Sequence, residues 1–203
     1  MPSRDERRCH YDAFVAHVRS LCSTPRIRSL LEDGRGRPPT QCPRMDAYLV
    51  KPCQGFGARR AHYTTASLIA LERPAPDWTE QAPSAPLPHP GLTPDDLLER
   101  EPAPPDNWAR RPNLGRTLAD AARARPHTAA GWQREVEVMG VLSADLLHTR
   151  LPHTVQRLLS LGLAYDVAVL LEDLAQWDFE PLEVAGRWRH SFYLTVPDTL
   201  LEL

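Results

Sequence analysis

"PHTVQRLLSLGLAYDVAVLLEDLAQW", residues Pro152–Trp177, decides the fold class. Val155, Leu158 and Leu159 fall at helical spacing, and Gly162 follows as a stop. Asp166 then stands where a capping carboxylate is needed before "VAVLLEDLAQW". The pattern is two helices joined by a short turn, with no alternation of the kind a strand shows. Pro152 reads as the first residue of the earlier helix, because its missing N–H costs nothing there.

The same grammar extends in both directions. Upstream, Ser143 starts a short turn of helix before Leu151, and Thr128 opens a helix through Trp132, Val136 and Met139. Asn113 caps "LGRTLADAARAR", which Pro126 ends. Downstream, Pro181 begins a last helix carrying Val184, Trp188 and Phe192 in a four-residue repeat. Near the N-terminus, Tyr11, Phe14, Val15, Val18 and Cys22 make an apolar stripe. Thr24 caps a short helix with Pro25 first, Ile27, Leu30 and Leu31 inward, and Gly34 as its left-handed stop. A third helix begins near Pro43, with Met45, Tyr48 and Leu49 apolar, and a fourth runs from about Gly57 to Glu72. No internal repeat interrupts this series. An all-α fold of two helical bundles is expected, residues 1–73 and 109–203, joined by a linker at 74–108.

That linker holds ten prolines between Pro74 and Pro105, interleaved with acids, so no long helix or central strand can cross it. A short helix at "TPDDLLER" is expected within it; Trp132, Trp177 and Trp188 belong to a core, while Trp78 and Trp108 flank the linker in acidic surroundings that favour docking it onto the bundle over stacking a base. Net charge is −2, yet residues 1–60 hold twelve basic side chains against six acidic ones, and 61–108 hold two against eight. A basic first third faces an acidic middle.

Catalytic motifs are absent: no G-x-x-x-x-G-K, no G-x-S-x-G, no H-E-x-x-H and no C-x-x-C. Cys9, Cys22, Cys42 and Cys53 have irregular spacing, which suits reduced thiols; a zinc site using them with His10 or His17 is the alternative. His148 and His153, flanking Pro152, read as surface residues. Glu172, Asp173 and Asp178 read as a solvated helix face, with paired acids for hydrolysis or metal binding as the alternative. No cofactor or metal is expected. The charged N-terminus and the lack of a long apolar run lead us to expect a cytoplasmic protein without membrane contact.

The remaining signal is arginine. "TPRIRSLLEDGRGRPP", Thr24–Pro39, carries Arg26, Arg28, Arg35 and Arg37, and between Asp33 and Glu72 six basic residues meet one acid, Asp46. Forked guanidinium donors suit phosphate oxygens, and glycine lets backbone approach a ligand closely. Arg59 and Arg60 extend the basic run, and the expected arrangement is a continuous electropositive track assembled from separate helices.

An ordered set of segments then resembles a known family: "FVAHVRSL", "TPRIRSLLEDGRGRP", "YTTASLIAL", "NLGRTLADA", "VQRLLSLGLAYDVAVLLEDLAQWD" and "VAGRWRHSFYL". The set is similar to CasB, the small subunit of the Cascade surveillance complex of type I-E CRISPR systems. The resemblance implies a non-catalytic, two-bundle helical protein that sits as a pair beside the backbone and large subunits. It also implies contact with guide RNA and target DNA, holding the displaced strand of an R-loop. By position in the family pattern, Arg28, Arg116 and Arg157 are implied nucleic-acid contacts. Arg26, Arg35, Arg37, Arg59 and Arg60 rest on charge alone. Where some relatives carry basic residues after the W-D element this chain has "FEPLEV", which leaves Arg187 and Arg189 as the expected contacts of the second bundle. The alternative is a helical scaffold that assembles protein partners without holding nucleic acid itself.

Overall fold

The computed structural model describes residues 2–72 and 108–201. Residues 73–107, which hold most of the expected 74–108 linker with Trp78 and the expected "TPDDLLER" helix, lie outside the described residues. Secondary structure among the described residues is entirely helical: α1 (Arg4–Cys22), α2 (Pro25–Glu32), α3 (Asp46–Leu49), α4 (Arg59–Leu71), α5 (Leu114–Ala124), α6 (Ala129–Met139), α7 (Ala144–Ser160), α8 (Val167–Trp177) and α9 (Pro181–Thr195). The all-α expectation is met.

Several ends are built as their sequences dictate. Asp166 Oδ1 accepts the backbone N–H of Ala168 and Val169 at 3.2 and 3.1 Å. Asn113 Oδ1 accepts that of Arg116 at 3.1 Å, so each side chain satisfies donors that the first turn leaves unpaired. Gly162 has φ +72°, and Leu163 N and Gly162 N reach back to Leu158 O and Leu159 O at 3.1 and 3.0 Å. This is a Schellman ending, which glycine permits without steric cost.

Two ends differ from expectation. Gly34 is not left-handed, since α2 ends through Asp33 in right-handed geometry. Its lack of a side chain matters for packing instead, because a Cβ there would collide with Met45 Sδ and sit 3.0 Å from Ser67 Oγ. Pro152 does not begin a helix either. It lies buried inside α7, which runs unbroken from a Ser143 cap to Ser160. Leu147, Leu151, Val155 and Leu158 form one fully buried stripe on both sides of the proline, and that burial outweighs the single backbone hydrogen bond Pro152 cannot donate.

Packing is organised around α8. It lies against α1 and α4 on one side and α9 on the other, while α7 packs on α4. Its "VAVLL" run is buried nearly all round for that reason. α5, α6 and α9 form a second group in which Gly115 touches the backbone of Trp188. Trp132, Trp177 and Trp188 are core residues, as expected. Trp108 is buried too, docked onto the helices: its indole N–H donates to Glu172 Oε2 at 2.6 Å, and Arg111 and Arg8 lie over its ring at 4.3 and 5.2 Å. No helix among the described residues is long and apolar enough to cross a membrane.

Candidate nucleic-acid interface

The ten arginines singled out by sequence fall into sets distinguished by what their guanidinium groups already touch. Arg26, Arg37, Arg116 and Arg189 are exposed and make no side-chain hydrogen bond or ion pair among the described residues. They stand on α2, on the loop after it, on α5 and on α9. Helical geometry explains Arg26, since Leu31 turns the opposite face of α2 inward.

Arg28 has a different environment. Its Nε donates to Ala70 O at 3.0 Å and its Nη2 donates to Glu72 O, so it closes the C-terminus of α4, where a cation also meets the negative end of the helix dipole. Arg35 pairs with Glu32 at 3.4 Å one helical turn back, both half-exposed, so that its charge is only weakly held.

Around the start of α7 the Arg35–Arg37 loop and Arg60 each make contact with the same helix. Gly36, between Arg35 and Arg37, has φ +66°, and a Cβ there would lie 3.2 Å from Thr149 Cα. Thr149 Oγ1 contacts Gly36 O at 3.4 Å and bonds Asp145 O at 2.9 Å. One turn earlier on α7, Asp145 accepts from Arg60, which holds its carboxyl below the usual range. Next to Arg60, Arg59 donates to Asp46 at 2.7 Å and lies over the Tyr63 ring. The Tyr63 hydroxyl, together with Arg59, holds the Asp46 carboxyl below its ordinary value.

Arg116 and Arg189 form a second locus. Each follows directly a residue of the α5–α9 crossing, Gly115 and Trp188, and Asn113 Nδ2 ties the helices there by donating to Ser191 Oγ at 2.8 Å. Arg157 and Arg187 sit apart from both loci. Arg157 stacks 4.0 Å from the Trp132 ring centre and lies 3.9 Å from Glu135. Arg187 Nη2 donates to Asp173 Oδ1 and Gln176 Oε1 at 2.8 Å each.

The acids are therefore structural supports. Asp173 is buried, not solvated, and also accepts the Trp188 indole N–H at 2.6 Å. Burial raises its pKa. Glu172 is half-buried between Arg8, Arg4 and Trp108, and only Asp178 of the three is exposed. Glu135 receives Arg150 at 2.9 and 2.6 Å and also the Thr154 hydroxyl. Burial pushes that carboxyl upward, but these bonds outweigh it and hold it low.

His148 is likewise buried, whereas His153 is exposed as expected. His148 Nδ1 meets Thr64 Oγ1 at 2.7 Å, and burial beside Arg60 lowers its pKa to about 4. His10 and His62 pair through their Nε2 atoms at 2.9 Å beneath Phe56. Among the described residues no group of three or more His, Cys, Asp or Glu is arranged to hold a metal ion.

Exposed bases outside the sequence-selected set include Arg44, Lys51, Arg110, Arg125 and Arg134. Arg44 and Lys51 were visible as part of the basic run, but Arg110, Arg125 and Arg134 carry no local signal.

A family model described as CRISPR-associated protein Cse2 matches residues 28–193. One solved structure, titled "CRISPR RNA-guided surveillance complex", contains a chain 24% identical, with a TM-score of 0.70, covering 97% of this chain and 98% of that one. Another, titled "CRISPR RNA-guided surveillance complex, pre-nicking", contains a chain 25% identical, with a TM-score of 0.69, covering 95% of this chain and 96% of that one. No curated protein sequence matches the chain.

Proposed function

Because the chain belongs to the CRISPR-associated protein Cse2 family, we propose that it is a non-catalytic small subunit of an RNA-guided surveillance complex in the cytoplasm. Its role is to bind nucleic acid without reading sequence and to hold the displaced DNA strand, so that the R-loop persists. Guide pairing supplies sequence specificity in such systems, which leaves the protein to grip backbone. Its partners are the guide RNA and target DNA, the backbone and large subunits, and a second copy of itself.

One observation carries this reading: Arg26, Arg37, Arg116 and Arg189 stand exposed on four separate elements with no carboxylate partner among the described residues. Arg35, Arg59 and Arg60 add charges held in solvent-screened ion pairs with Glu32, Asp46 and Asp145, which phosphate can replace. Arg28, Arg157 and Arg187 are engaged with a helix end and with the acids Glu135 and Asp173, and so have less charge to offer a strand.

Gel-shift titration of a single-stranded oligonucleotide against the chain and its assembled complex tests the proposal. Four phosphate contacts give a slope near −3 in log affinity against log salt, a loss of about 50-fold between roughly 50 and 200 mM. Binding that ignores salt, or no binding in either form, overturns it. The scaffold alternative predicts that Arg26→Glu with Arg116→Glu abolishes assembly even when nucleic acid is absent.

A further inference from the structure

The corner joining α8 to α9 presents a surface that the strand-binding role does not use. Phe179 is 82% exposed and Leu182 76%, three residues apart across the turn. Val141, 79% exposed, follows Gly140, where a Cβ would lie 3.4 Å from that of buried Ala185, one turn beyond Leu182 on α9. Leu146, 58% exposed, follows on the first turn of α7. Two large apolar side chains this exposed within four residues of one turn mark an interaction surface more than scattered ones do.

The turn is rigid. Phe179 N and Glu180 N both bond Gln176 O, at 3.0 and 2.9 Å, and Pro181 fixes the first residue of α9. A partner therefore meets a preformed knob and avoids the entropic cost of ordering it. Charge selects the partner's class: from Asp178 to Gly186 the chain holds three exposed acids, Asp178, Glu180 and Glu183, and no basic residue, and Arg187 at its edge is already paired with Asp173 and Gln176. Phosphate is repelled here.

We propose that this corner docks a protein subunit whose facing surface is an apolar hollow rimmed by arginine or lysine. Phe179 and Leu182 fill the hollow, and Asp178, Glu180 and Glu183 meet the rim. The inference rests on the reading of the chain as a subunit of a larger complex. It gives the two faces separate tasks: arginines toward nucleic acid, the acid-rimmed knob toward protein.

The test is a Phe179→Ser, Leu182→Ser double variant, returned to a reconstituted complex purified without this chain. Both side chains are exposed, so folding is preserved, and circular dichroism checks this. The expected result is at least a tenfold loss in affinity for the complex, with oligonucleotide binding by the free chain unchanged and Glu180→Lys with Glu183→Lys also weakening incorporation. Wild-type incorporation of the double variant overturns the proposal. So does loss of oligonucleotide binding by the free variant, which assigns the corner to nucleic acid. Self-association of the isolated chain that the double variant abolishes in sedimentation overturns it as well, since the occupant is then a second copy. Failure of the strand-holding reading alone leaves a different signature, an oligonucleotide affinity indifferent to salt while incorporation still depends on Phe179.

Discussion

Replacing Gly115 with alanine tests how closely the helices of the second group approach. A Cβ at this position would lie 2.6 Å from the Trp188 carbonyl carbon, 2.7 Å from its Cα and closer still to its oxygen. These neighbours are backbone atoms, so no rotamer change relieves the collision; α5 and α9 must separate. Alanine favours helix over glycine by about 1 kcal/mol, whereas overpacking of a close interface costs about 1–3 kcal/mol and more where backbone must move. The collision wins, and a net loss of about 2 kcal/mol lowers Tm by roughly 4–8 °C in a chain of this size. Gly186→Ala supplies the control on the same helix pair, because a Cβ there meets nothing within 4 Å; it should stabilise the protein by up to about 1 kcal/mol. Thermal melts followed by circular dichroism at 222 nm read both. Gly115→Ala as stable as wild type, or displaced in the same direction as Gly186→Ala, refutes the reasoning. Since Arg116 and Arg189 flank this crossing, the variant should also weaken strand binding.

Asp173→Ala leaves the buried Trp188 indole N–H without its acceptor, while the part-exposed Arg187 keeps Gln176, and chemical denaturation should show a loss of about 1–3 kcal/mol. Arg150→Ala strips the bidentate partner from buried Glu135 and should cost more than Arg134→Ala, an exposed neighbour on α6, when both are measured by the same denaturation. Acid should destabilise the fold through buried His148 and half-buried His10. His148 and His10 have pKa values lowered to about 4, by burial first and by Arg60 and His62 respectively. The unfolded chain therefore binds more protons than the folded one, so stability present above about pH 6.5 is lost as pH falls toward 4. A Tm unchanged between pH 7 and pH 5 contradicts this, and His148→Gln should flatten the profile.

Local chemistry made much of the fold readable. Gly162, Asp166 and Asn113 announce their roles because a helix end needs particular atoms within a few residues. One misreading produced another. Reading Pro152 as a helix start splits α7 and removes His148 from the stripe of Leu151 and Val155; in the unbroken helix it lies three and seven residues before them and is buried accordingly. Asp173 was hidden for a different reason: its partners Trp188 and Arg187 belong to the next helix, and a solvated carboxylate and a buried one look alike in sequence. The arginines show the same limit. Their type and abundance were plain, but which of them meet carboxylates depends on pairs as distant as Arg60 with Asp145. Exposure and the lack of a partner, the two properties that select Arg26, Arg37, Arg116 and Arg189, arise only from tertiary packing.

The displaced strand itself gives the most direct test. In the complex reassembled with Arg26→Glu, Arg37→Glu, Arg116→Glu and Arg189→Glu, single-strand-specific chemical reactivity of that strand should rise along its length and R-loop lifetime should fall at least tenfold, while subunit composition stays intact. A wild-type reactivity pattern and lifetime in the fully assembled variant would contradict the claim that these arginines hold the strand.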